Sequence, residues 1–311
     1  VQDYEGKPKK YPDMKWYAKN ELHSDKWISI FKRILKNNKN AFFILYGGEP
    51  FLYKYLGQIL KWMNNNNVNY TVISNNVDSI QDKIQKVIEF IKPGKIKGFT
   101  SSVDPLINDS CMVLRGDRYL KSLAGLQRLM KIKINGIADD VVAEITADKS
   151  NIQYLYKTVK GLSEYGIYSS ITCMDDKKND YYDFAASPEE GSLLNSNDVQ
   201  AEFDKIIEDK SLLVHIPKLL NDLSCILPSN LKCDIDKDIH NITIRPDGQL
   251  RLCLRLCGVS TPKVDNWINE NGELSPQTNI SMKSDYEKYC EGCNWTCMLM
   301  SDKFNTEIID H

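Results

Sequence analysis

The chain has 311 residues, of which 42% are apolar and 26% charged, and its formal net charge is −2. That leaves room for one large α/β domain plus a smaller one, and it excludes a disordered chain. A charge so near neutral gives no electrostatic footing for nucleic acid or an anionic membrane surface, and no run approaches the roughly 18 apolar residues of a membrane span.

In chain order, residues 1–20 are polar and read as loop. Ser24 is placed to cap a helix with Trp27, Ile28, Phe31, Ile34 and Leu35 on one face. Ala41 to Tyr46 is a short apolar run bounded by glycine, read as a strand buried on both faces. A helix follows Pro50, then a strand at Tyr70 to Ile73 closing in Ser74-Asn75-Asn76. Next come a helix with Ile80, Ile84, Val87, Ile88 and Ile91, and a strand at Lys95 to Val103. A helix around Tyr119 to Met130 leads to a strand at Val141 to Thr146 with Glu144 inside it. Ser150 is placed to cap the next helix, and Ile167 to Cys173 is a fifth strand. Strands alternating with helices predict parallel β/α units. The pattern breaks at the polar stretch Asp175 to Asn197. A helix near Val199 to Ile207 follows, and Ile242 to Ile244, Pro246-Asp247-Gly248 and Leu250 to Cys253 signal a β-hairpin. The predicted architecture is an α/β partial barrel over residues 1–185, a linker or helical segment over 186–222, and a small cysteine-rich domain with a hairpin over 223–311.

Gly47-Gly48-Glu49-Pro50 closes the first strand. Two glycines let the backbone turn sharply and approach a ligand. Glu49 stands at the carboxyl end of a strand, where α/β folds place their sites. The same four residues also fit a tight strand-to-helix turn with an exposed glutamate.

Nine cysteines are present, seven of them in the last third. An odd number in this distribution, with an opening VQDYEGKPKK that does not read as a signal peptide, suits a reduced, cytoplasmic setting and a local metal site. Cys290, Cys293 and Cys297 fall within eight residues, and Cys253 and Cys257 flank three residues just past the hairpin. Thiolates this close can converge on zinc or on an iron–sulfur cluster. Spacing alone leaves that choice open, leaning slightly to structural zinc. Cys111 and Cys173, far from the group, read as small buried hydrophobes, and the four histidines show no ligand spacing.

Together these features resemble the radical S-adenosylmethionine enzymes that carry a C-terminal SPASM or Twitch auxiliary-cluster domain. Gly47-Gly48-Glu49-Pro50 matches the family's GGEP motif, which holds the methionine amino group of the cofactor. Ser102-Val103-Asp104 resembles the strand end that contacts ribose, and Arg115 or Arg118 matches its carboxylate partner. Cys233, fourteen residues, Gly248, four residues, Cys253 matches the opening of the SPASM pattern, and Cys290 and Cys293 supply its CxxC. After that the chain departs from the family: three residues lead to Cys297, and no cysteine follows.

The resemblance implies a partial (β/α)6 TIM-like barrel whose first strand is missing. It implies S-adenosylmethionine as cofactor, held by Gly47, Gly48, Glu49, Pro50, Ser102, Asp104, Arg115 and Glu144, with Thr146 another candidate for the cavity wall. It also implies one auxiliary [4Fe–4S] cluster on four of Cys233, Cys253, Cys257, Cys290, Cys293 and Cys297. The family's CxxxCxxC loop, which binds the catalytic [4Fe–4S] cluster, is absent from these residues. By the family's spacing its last cysteine falls just before Val1, as in an amino-terminal truncation. The implied activity is reductive cleavage of S-adenosylmethionine to a 5′-deoxyadenosyl radical that takes hydrogen from a substrate. That substrate is a peptide, protein or small molecule, and a flavodoxin or ferredoxin serves as reductant. The rival reading is a degenerate, non-catalytic β/α binding protein with structural zinc at the tail.

Overall fold

The computed structural model describes residues 19–46, 49–91, 96–103, 117–147, 151–173, 196–212, 243–248, 250–251, 268–271 and 273. The chain divides into two compact units. One comprises residues 1–41, 177–189 and 228–311, the other residues 42–176 and 190–227. In chain order the elements are α1 (Ser24–Asn37), β1 (Phe42–Leu45), α2 (Leu56–Asn65), β2 (Asn69–Ser74), α3 (Gln81–Phe90) and β3 (Ile96–Val103). They continue with α4 (Asp117–Ile134), β4 (Ala138–Ala147), α5 (Leu155–Ser163), β5 (Tyr168–Cys173), α6 (Ser196–Glu208), β6 (Thr243–Ile244) and β7 (Leu250–Arg251). Among the described residues no helix is long and apolar enough to cross a membrane.

In the second unit β1 to β5 form one sheet in sequential order, every neighbour parallel. Parallel neighbours need crossover connections, and right-handed crossovers in sequential order set the helices on one side of the sheet, as in a barrel wall. The register separates the two faces. Tyr70, Val72, Phe99, Val141, Ala143, Ile145 and Ile171 share one face and are buried. The helices bring apolar stripes of their own: Ile59, Leu60 and Met63 from α2, Leu126 and Leu129 from α4, and Leu155, Val159 and Leu162 from α5. Each such side chain contributes about 1.5–3 kcal/mol when fully buried.

The opposite face is open. Phe42, Ile44 and Tyr168 on it are 60%, 50% and 37% exposed. This corrects the expectation that the first strand is buried on both faces. Phe43 is buried, but β1 borders the sheet among the described residues, and its alternate side chains fall on the uncovered side.

α6 docks on α5 through polar groups. The Glu202 carboxylate, 4% exposed, accepts from the Tyr156 backbone N–H at 3.1 Å and so satisfies an otherwise orphaned donor in the first turn of α5. The Tyr156 hydroxyl donates to Asp209 Oδ2 at 3.0 Å, just past α6.

In the first unit α1 starts at Ser24, but its cap is His23: the imidazole Nδ1, and not the expected Ser24 hydroxyl, accepts from the Asp25 N–H at 3.4 Å. Leu22 donates its N–H to the Pro246 carbonyl at 2.8 Å. Pro246 lies in the turn that joins β6 and β7, an antiparallel pair as the sequence predicts. That turn ends in Gly248 at φ +82°, a left-handed conformation suited to glycine. Further along α1, Arg33 Nη1 donates to the Ile268 carbonyl at 3.0 Å, and Lys36 Nζ to Asn271 Oδ1 at 3.1 Å.

A close approach inside the sheet gives the first testable consequence. A Cβ on Gly98 would lie 2.9 Å from Thr71 Cβ and 3.0 Å from the Tyr70 carbonyl oxygen. Gly98→Ala is expected to cost about 1–3 kcal/mol, the usual range for overpacking, read as a lowered urea midpoint. An unchanged midpoint would show that the backbones of β2 and β3 shift apart enough to admit the methyl group.

Candidate functional site

Local chemistry fixes the turn after β1. Glu49 has extended backbone (φ −138°, ψ 109°), and Pro50 opens a 3-10 turn over Pro50–Leu52. Proline suits a first helical position, where its missing N–H costs nothing. The Glu49 carboxylate caps that turn: Oε1 accepts from the Phe51 N–H at 3.1 Å. The Phe51 ring is buried and faces Phe99 of β3 with centroids 6.1 Å apart.

The same carboxylate reaches the end of β2. The Ser74 hydroxyl donates to it, with contacts of 3.1 Å to Oε1 and 3.2 Å to Oε2, and the Asn75 N–H donates to Oε2 at 3.0 Å. A carboxylate offers about four acceptor positions. Among the described residues the donors are Phe51, Ser74 and Asn75, so about one position is left for a further donor. The arrangement holds a negative charge, half-buried, over the carboxyl end of a parallel strand.

Beyond Ser74 the chain reverses at Asn76, which is fully buried with φ +50°. Its N–H donates to Ser74 Oγ at 3.0 Å, and its carbonyl accepts from Arg128 Nε of α4 at 2.6 Å.

On the open face the register aligns Ser102 of β3, Glu144 of β4 and Ser170 of β5 in one row. One row nearer the strands' amino ends lie Ile73, Thr100, Val142 and Tyr168. Thr100 Oγ1 is 3.1 Å from Thr71 Oγ1. The face therefore mixes hydroxyls and apolar groups with the carboxyl of Glu144 and, nearer the strands' amino ends, that of Asp140. Burial pushes the Glu144 carboxyl above the usual glutamate range.

Of the expected cofactor-binding residues, the structure brings Glu49 and Pro50 into the turn and sets Ser102 and Glu144 side by side on the open face. Gly47, Gly48, Asp104 and Arg115 lie outside the described residues, as do Cys233, Cys253, Cys257, Cys290, Cys293 and Cys297. Thr146 is placed in β4 and Arg118 in α4 by their backbones. Sequence reasoning treated Ser74-Asn75-Asn76 only as the end of a strand and passed over Arg128. Two consecutive asparagines after a strand are a fair signal for a left-handed residue. Nothing in the sequence marks Arg128.

No protein-family model matches the chain, and no curated protein matches it in sequence. Solved structures match in fold. Streptococcus suis SuiB bound to S-adenosylmethionine aligns with a TM-score of 0.57 at 13% identity, over 88% of this chain and 66% of that one. SuiB bound to its precursor peptide SuiA gives 0.56 at 14%, over 88% and 65%. Native anSMEcpe with bound AdoMet and Kp18Cys peptide gives 0.50 at 15%, over 85% and 73%. The chain thus spans about two thirds of SuiB's length. At these identities the likeness is one of fold, an α/β architecture built on a parallel sheet.

The raised Glu144 has a sign that can be checked. A carboxyl protonated more readily in the folded than in the unfolded chain lends stability at low pH, and that stability is lost as pH rises through the folded value. Glu144→Gln should therefore gain stability relative to the natural chain as pH climbs from the ordinary glutamate range towards neutrality. Urea midpoints over that pH series are the measurement, and parallel curves would contradict the burial of Glu144.

Proposed function

We propose that this chain is the body of a radical S-adenosylmethionine enzyme acting on a peptide or protein, with a SPASM- or Twitch-like auxiliary-cluster region at its C-terminus. The observation that carries the reading is the Glu49 carboxylate, held by its own chain at a strand's carboxyl end with an acceptor position left over. The fold shared with SuiB and anSMEcpe supports it, since both were solved with S-adenosylmethionine. The peptide is proposed because SuiB and anSMEcpe were also solved with peptides. A small-molecule substrate remains the alternative within the same chemistry.

The residues present fit the cofactor. An ammonium needs a fixed carboxylate with a free lone pair, and Glu49 is oriented before any ligand arrives. A ribose needs hydroxyl partners, and Ser102 stands exposed on the open face at the carboxyl half of β3. In this reading the carbonyls of Gly47 and Gly48 join Glu49 around the ammonium, Pro50 fixes the turn, Asp104 and Arg115 meet ribose and carboxylate, and Glu144 lines the cavity wall. When bound beside a reduced [4Fe–4S] cluster, S-adenosylmethionine supplies a 5′-deoxyadenosyl radical for hydrogen abstraction. The protein's own part is to bind, orient and shield.

The catalytic cluster requires a CxxxCxxC loop that these 311 residues do not contain. Four of the six C-terminal cysteines named above would hold the auxiliary cluster. A cytoplasmic setting and a flavodoxin- or ferredoxin-type reductant complete the proposal. The CxxC spacing of Cys290 and Cys293 also suits structural zinc, which gives the second reading, a non-catalytic relative with a zinc site at its tail.

Anaerobically reconstituted, dithionite-reduced protein carrying a CxxxCxxC loop ahead of residue 1 is expected to form 5′-deoxyadenosine from S-adenosylmethionine. Glu49→Ala should bind the cofactor about tenfold or more weakly, as loss of a charge-assisted hydrogen bond implies. No 5′-deoxyadenosine, together with zinc and no iron or sulfide, would favour the second reading. Unchanged affinity in Glu49→Ala would remove Glu49 from the site.

A further inference from the structure

We propose that Arg128 and Asn76 are positioning residues for the Glu49 carboxylate, acting through Ser74. The inference rests on the reading of Glu49 as the cofactor's ammonium partner, and it adds residues that no motif marks. All the groups involved lie in the second unit.

The argument follows the hydrogen bonds. Glu49 is oriented by Ser74 and Asn75, so whatever sets those two donors sets the carboxylate. The Ser74 hydroxyl has one proton and a free rotor. Its oxygen accepts from the Asn76 N–H at 3.0 Å. With that lone pair occupied, the hydroxyl proton turns to Glu49, where both contacts are observed. The Asn76 N–H reaches back to Ser74 because Asn76 is left-handed, a region sparsely used by residues other than glycine.

Something must hold that conformation, and every polar group of Asn76 is engaged. Arg128 Nε donates to its carbonyl at 2.6 Å, a short charge-assisted bond. Its own Nδ2 donates to the Gly125 carbonyl at 3.3 Å, and its Oδ1 accepts from Gln81 Nε2 at 3.0 Å. Two of these partners, Gly125 and Arg128, belong to α4. The helix therefore grips the turn after β2, and the turn aims the serine and the Asn75 amide at the carboxylate after β1. Hydrogen bonds in such a series polarise one another, so the far member affects the near one.

A merely structural role would lower stability without changing the grip on Glu49. The test therefore reads that grip directly, by hydrogen–deuterium exchange at the Phe51 and Asn75 amides in the chain as it stands, without ligand. Arg128→Met keeps the aliphatic stem and removes the donor. It should speed exchange at both amides as Glu49→Ala does, and Arg128→Lys should restore part of the protection. Asn76→Gly, which keeps the left-handed backbone but loses the side-chain bonds, is a second variant should Arg128→Met fail to fold, and it should also speed exchange. Glu202→Ala, destabilising but outside the relay, is the control and should leave both amides protected. In protein that binds S-adenosylmethionine, Arg128→Met should weaken affinity about tenfold. Wild-type protection of Phe51 and Asn75 in Arg128→Met, or loss no greater than in Glu202→Ala, would overturn the proposal. Failure of cluster-reconstituted protein that carries the CxxxCxxC loop and an intact Glu49 to bind S-adenosylmethionine would instead overturn the reading of Glu49, and the exchange data would still decide the relay.

Discussion

A half-buried carboxylate has to be hydrogen-bonded, and at Glu49 that requirement organises the upper edge of the sheet. The side chain takes donors from the turn it begins and from the strand end beside it. One charge thus joins two segments that the chain separates by α2. It also explains why the turn is built as it is. Pro50 supplies the helical φ, Phe51 buries its ring towards Phe99 while giving its N–H to Glu49, and the exposed Leu52 contributes little. A cofactor ammonium arriving there would meet a carboxylate already aimed, so little ordering would remain to be done on binding.

The second organising constraint is the asymmetry of the sheet. Sequential parallel strands place their helices together, and the uncovered side is left to do chemistry. Its inhabitants are the residue types that a nucleoside and an extended substrate would use: threonine and serine hydroxyls, a few exposed apolar groups and the raised Glu144 carboxyl. Gly98 serves this face differently, by having no side chain where Thr71 must lie.

The strand–helix series was legible because each buried stripe repeats at its own period, and the five strands fall where the apolar runs predict them. The misreading of β1 has a simple cause. Composition reports that a run is apolar, not which side of a sheet is covered, so Phe42 and Ile44 looked like core. The cap at His23 went unseen because an imidazole can accept where serine is the usual choice. Within the candidate site, the places of Glu49 at a strand end and of Ser102 and Glu144 within strands were legible, while the cofactor roles proposed for them come from the family resemblance. Asn76 and Arg128 were not, since their roles depend on contacts between residues 52 positions apart. Periodicity and short motifs carry no such information.

The central claim is that the fixed Glu49 carboxylate receives the amino group of S-adenosylmethionine. A crystal structure of the protein grown with S-adenosylmethionine tests it most directly. The expected result is the methionine nitrogen about 3 Å from a Glu49 carboxylate oxygen, with Phe51, Ser74 and Asn75 still donating to that carboxylate and the ribose towards Ser102. Cofactor bound elsewhere, or a Glu49 whose remaining acceptor position is filled by another group of the protein, would contradict the account.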